Sequence, residues 1–196
     1  MKFCIASIVL LTGVVCVSPA TSAATVAEFE FDREGRTEGW RDRGKGTGVD
    51  DLTSDGQYLV GTSPGVDPQL ICRRDIRRAS YAQWESVIFR IRETETPDGE
   101  PIEFNPTGVL VEINGGGRGG LRVVKRGEFT IEESGDGFYT VTVNIAAFEG
   151  DTINDLRLDP IGGTASNSNS DTAGNTFEID FIHVTDSSSA VAEEPD

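Results

Sequence analysis

Four carboxylates, paired at close spacing near the two ends of the chain, are the first residues whose arrangement could do chemistry. Glu28 and Glu30 stand two apart near the start, and Glu178 and Asp180 stand two apart near the end. Side chains of a β-strand alternate between its faces, so each pair projects from one face of its own strand. Opposed carboxylates repel unless a cation or an arginine lies between them. Calcium takes about six to eight oxygens from carboxylates, carbonyls and water. If the first and last strands are neighbours, Glu28, Glu30, Asp32, Glu178 and Asp180 can converge on a structural calcium ion. Otherwise they form a solvated acidic face in a chain with 33 acids.

A second set of residues suits binding. Arg73, Arg74, Arg77 and Arg78 crowd around Asp75 and Ile76, the one dense positive patch in the sequence. The planar guanidinium fork matches a carboxylate, which suits an acidic polysaccharide; the alternative is neutralisation of nearby acids. Sugars also ask for aromatic faces against the apolar side of a pyranose, with polar groups for the hydroxyls. Trp40 lies between Glu38 and Arg41-Asp42, where partial exposure is expected, whereas Trp84 begins an alternating strand and reads as core. The candidate ligand-binding residues are Trp40, Arg73, Arg77 and Tyr81.

Covalent chemistry finds little to work with, and no catalytic residue is expected. His183 is the single histidine, too few for a histidine metal site and a poor basis for a Ser-His-Asp set. Cys72 sits in the apolar run Gln69-Leu70-Ile71-Cys72 and reads as a small buried hydrophobe. Glu178-Ile179-Asp180 is followed by His183 where a retaining glycosidase would place its second carboxylate.

The elements that must position these residues are strands. VAEFEF at 26–31, WESVIFRIR at 84–92 and TFEIDFIHV at 176–184 alternate, and shorter runs recur at 57–62, 69–73, 108–113, 120–125, 128–131, 138–144 and 155–158. Short helical turns are expected at 80–83 and 145–148. The polar stretches 114–120 and 162–175 read as loops. No βαβ unit is visible, so the expected fold over 24–185 is all-β, an antiparallel two-sheet sandwich of jelly-roll type. Its expected core holds Phe29, Phe31, Val87, Phe89, Ile91, Val141, Leu156 and Leu158. Met1-Lys2, an apolar run over 3–17 and small residues over 18–24 read as a cleavable export signal at 1–23. The mature chain is then extracellular or periplasmic, with no membrane insertion after cleavage, and its acidic tail at 186–196 is disordered. A formal charge of −16 argues against nucleic acid and anionic lipid as partners.

Taken in order, several short matches resemble a known group. They are Phe29-Glu30-Phe31-Asp32 with Glu38-Gly39-Trp40, Asp55-Gly56, Gly65-Val66-Asp67-Pro68-Gln69-Leu70, Tyr81 with Trp84 to Arg92, Leu156-Arg157-Leu158-Asp159-Pro160 and Phe177 to Val184. Over residues 26–185 the pattern resembles the galactose-binding-like jelly-roll modules of secreted bacterial proteins. The resemblance implies a non-catalytic carbohydrate-binding module that recognises an extracellular polysaccharide or other glycan, with calcium between the first and last strands. Two other functions fit the same fold: an adhesion or structural component of the envelope or matrix that binds protein or itself, and a small jelly-roll enzyme acting on glycans.

Overall fold

The structure, a computed structural model, describes residues 25–44, 48–65, 68–73, 84–100, 110–115, 122–126, 129–144, 153–161 and 172–186. Among them are twelve strands and no helix. The first six are β1 (Thr25–Phe29), β2 (Trp40–Asp42), β3 (Asp50–Ser54), β4 (Leu59–Thr62), β5 (Leu70–Cys72) and β6 (Trp84–Glu95). The rest are β7 (Leu110–Gly115), β8 (Arg122–Arg126), β9 (Phe129–Glu133), β10 (Tyr139–Asn144), β11 (Ile153–Asp159) and β12 (Thr176–Asp186). They form two antiparallel sheets, a larger one ordered β3-β4-β12-β6-β10-β9 with β1 on β12, and a smaller one ordered β2-β5-β11-β7-β8.

The pairing is nested. β4 pairs with β12, β5 with β11, β6 with β10 and β7 with β8, as along one long hairpin. Each successive pair falls in the opposite sheet, and the seams β12–β6 and β11–β7 then join the pairs sideways. One face of every central strand turns inward, and period-two alternation supplies the apolar side chains for it. All eight residues expected in the core are at most 2% exposed. Burial of each contributes about 1.5–3 kcal/mol before chain entropy is counted.

Close packing fixes details beyond the alternation. A Cβ added at Gly61 would lie 2.8 Å from Phe177 Cζ, so only glycine fits there without a shift. Phe31 takes a left-handed φ of 55°, strained for a bulky residue. Its carbonyl accepts a hydrogen bond from the buried Ser54 Oγ at 2.6 Å, which ties the bend after β1 to the end of β3.

β2 and β3 are additions to the expected strands; both are short and charged, WRD and DDLTS, and carry weak alternation. β12 runs to Asp186, into the stretch expected to be tail. The end of the expected 162–175 loop is tied down: Thr172 Oγ1 and Ser63 Oγ lie 2.8 Å apart, and Gly174 N donates to Ser63 O. The expected export signal at 1–23, the turns at 80–83 and 145–148 and the tail beyond 186 lie outside the described residues.

Candidate functional site

The smaller sheet turns Trp40, Leu70, Cys72, Val111, Leu156 and Leu158 into the core. Alternation therefore sends the residues between them to its outward face. The register sets Arg41, Ile71, Arg157 and Glu112 opposite one another in a row across β2, β5, β11 and β7. Asp155 and Asp159 flank Arg157 on the same side of β11.

At the centre of this face three charged side chains are buried. Arg157 is 7% exposed, Glu112 2% and Asp159 3%. The Arg157 fork donates from Nε to Asp159 Oδ1 at 2.6 Å and from Nη2 to Oδ2 at 2.5 Å, while Nη1 donates to Glu112 Oε2 at 3.1 Å. Desolvating three charges costs several kcal/mol each, and bidentate geometry is what makes such a cluster tolerable. The cluster is a fixed floor: Arg157 cannot turn to a ligand without leaving two carboxylates buried.

Around that floor the cations are accessible. Arg73 Nε lies 3.4 Å from Asp155 Oδ2, and half of the Arg73 side chain is exposed. Arg43 is exposed and donates from Nη1 to Gln69 Oε1 at 2.7 Å. Arg41 is exposed, and Asp42 beside it takes the other side of β2, in register with the core residue Leu70.

Trp40 departs from its expected role. It is 1% exposed and packs edge-on against Phe29, with ring centroids 5.6 Å apart, so its ring has no face to offer a sugar. The alternation of β2 explains this, since Trp40 points inward and only Arg41 outward. Tyr81 and Arg77 lie outside the described residues. Of the four expected ligand-binding residues, Arg73 is the one whose side chain the structure describes as exposed.

The expected calcium cluster does not assemble. β1 does pair with β12, but with its second half, which sets Glu28 opposite His183. The first half of β12 pairs with β4, with Glu178 opposite Val60. A register shift against β6 between Ile179 and Phe181 separates the halves. Glu30 meets His183 Nε2 at 2.5 Å, and that ring stacks on Phe181. Asp32 is exposed, 3.9 Å from Arg33. Glu178 accepts from Arg92 Nε at 2.7 Å, while Asp180 and Asp136 both accept from Arg90. Arginine thus sits where the cation was expected. Among the described residues no group of three or more His, Cys, Asp or Glu is arranged to hold a metal ion.

Burial works against the charge of Arg90, yet its hydrogen bonds to Asp180 and then Asp136 outweigh it and raise the pKa above its ordinary value. Partial desolvation likewise opposes ionisation of Asp136, but the Phe138 backbone N–H and the Arg90 guanidinium hold its carboxyl below the usual range. An open cleft of about 300 Å³ elsewhere is lined by Asp42, Val49, Asp50, Asp51 and Pro64 among others.

Arg41, Glu112, Arg157 and Asp159 were not singled out by residue type. The signal was present in Leu156-Arg157-Leu158-Asp159, where two core leucines force the arginine and aspartate onto one outward face. Compared with known protein families, with curated proteins and with solved structures, the chain matches none.

Proposed function

We propose that the protein is a secreted, non-catalytic carbohydrate-binding module, and that its glycan lies against the exposed arginines at the β2–β5 edge of the smaller sheet. The observation that carries this reading is the row on that sheet, a buried Arg157–Asp159–Glu112 floor bordered by the exposed arginines Arg41, Arg43 and Arg73. Accessible forked donors held beside a rigid buried cluster match a chain of ring hydroxyls and acid groups, and they need no moving part or nucleophile. The nested pairing β4·β12, β5·β11, β6·β10 and β7·β8 supports a jelly roll, in which such pairs alternate between two sheets. The apolar run at 3–17 after Met1-Lys2 supports export.

A polysaccharide pull-down and a glycan array with the purified protein, each run with and without calcium, test this. Retention on at least one extracellular polysaccharide is expected. No retention on any neutral or uronic-acid glycan, under either condition, removes the reading. In a positive case no new reducing ends appear on the retained polysaccharide; their release would make the protein an enzyme instead.

A further inference from the structure

We infer that the glycan is an acidic one, held through its carboxylates by Arg41, Arg43 and Arg73; this rests on the glycan-binding reading above. The formal charge of −16 gives the molecule a field that repels polyanions at a distance. An acidic ligand therefore needs a local patch of opposite sign, and the exposed Arg41, Arg43 and Arg73 at the β2–β5 edge of the smaller sheet offer one. Glu112 and Asp159 are both engaged by Arg157, and Asp155 lies against Arg73. The acids of the face are thereby answered, and Arg41 and Arg43 stand at its edge in addition, both exposed.

Chemistry narrows the class further. A guanidinium has five N–H donors; the Arg73 ion pair engages its Nε and the Arg43 bond to Gln69 its Nη1. Neighbouring strands lie about 4.8 Å apart and alternate residues on one strand about 6.6 Å. Arg41 lies on β2, Arg43 just past its end and Arg73 just past the end of β5, a spread along the edge that suits acid groups repeated along a chain rather than one small anion. Within the same face Arg157 already takes a carboxylate by the two-point fork. A neutral glycan would bring no counter-charge to the rim arginines, and its hydroxyls gain little from so many cations.

Affinity electrophoresis of the full protein through gels holding polygalacturonate, dextran sulfate, dextran or single-stranded DNA tests the inference. Polygalacturonate should retard the protein most strongly, and added salt should weaken the effect. Arg41→Ala with Arg73→Ala should lower that affinity about tenfold, while Arg73→Lys, which keeps charge and loses the fork, should fall between. Melting curves of the variants separate lost binding from lost folding; Arg41→Ala alone should match the parent, and Arg73→Ala should fall slightly because Asp155, 14% exposed, loses that ion pair.

Dextran bound as tightly as polygalacturonate, with no salt effect, overturns the acidic class and leaves glycan binding standing. Dextran sulfate or DNA bound at least as tightly as polygalacturonate overturns the carboxylate assignment. Binding that the variants leave unchanged overturns the arginine assignment. Retardation by none of the four, together with a negative array, overturns both the inference and the reading beneath it.

Discussion

Arginine and carboxylate meet on both outward faces of the sandwich, but they are used differently. On the larger sheet Arg90 lies between Asp180 and Asp136, with its guanidinium 4.3 Å from the centre of the Phe138 ring. Arg92 holds Glu178 and covers the same ring at 4.4 Å, with Tyr58 beyond it. Each cation there is enclosed by acids and aromatics, so the face is closed on itself and pins the 134–138 turn to β6. On the smaller sheet the pairing is concentrated in one buried cluster, and further arginines stand outside it. The same pair of residue types therefore builds a clamp on one side and leaves accessible donors on the other.

The sharpest way to break this contrast is to remove one arginine from each face. Arg157→Ala takes from the buried Glu112 and Asp159 the guanidinium that donates to both. A loss of about 3–5 kcal/mol is expected in urea unfolding, because removing one partner of a buried charge pair is the costly outcome. Changing all three residues together to Met, Leu and Leu should recover most of that stability. If Arg157→Ala costs under about 1 kcal/mol, the cluster is not the floor of the face.

Arg90→Ala should cost less, about 1–2 kcal/mol by the same measurement. Its side chain is 20% exposed and that of Asp136 54%, so solvent screens the charges that remain. What is lost is one guanidinium–ring contact and hydrogen bonds to partly hydrated carboxylates. Equal costs at Arg90 and Arg157 would erase the distinction between clamp and floor.

The fold was more legible in the sequence than the site, for reasons visible in particular residues. Val87, Phe89 and Ile91 alternate with Ile88, Arg90 and Arg92, and one sheet face must take the first set. Such a pattern survives any change of partner strand. The acids at 28, 30, 178 and 180 depend instead on register between distant segments, and neither strand encodes that register locally. The shift between Ile179 and Phe181 places two successive outward residues, Asp180 and Phe181, where strict alternation allows one. Trp40 misled because its neighbours are charged; in a three-residue strand the residue types on either side say little about the direction of the one between. Arg157 and Asp159 became visible only once Leu156 and Leu158 were fixed inside.

The smallest expected effect sharpens the contrast through pH. The Asp136 carboxyl is held below its ordinary range by the Phe138 N–H and Arg90, against a partial desolvation that pushes the other way. A carboxyl whose folded pKa is lowered stabilises the fold at every pH above its unfolded value. That contribution is lost as pH falls through the lowered folded value, that is, below about pH 4. The partner shift of Arg90 is upward and acts only in strong alkali, so it leaves the acid side untouched. Asp136→Asn removes the carboxyl and with it this one pH-dependent contribution. Its urea midpoint should lie slightly below the parent's at pH 7, and the gap should close as both are titrated below pH 4. Acids away from Arg90 are common to the two proteins and cancel in the difference. A gap that stays constant across that range would mean that Asp136 acts through the shape of its turn alone. The clamp on the larger sheet would then rest on Asp180, Glu178 and the Phe138 ring.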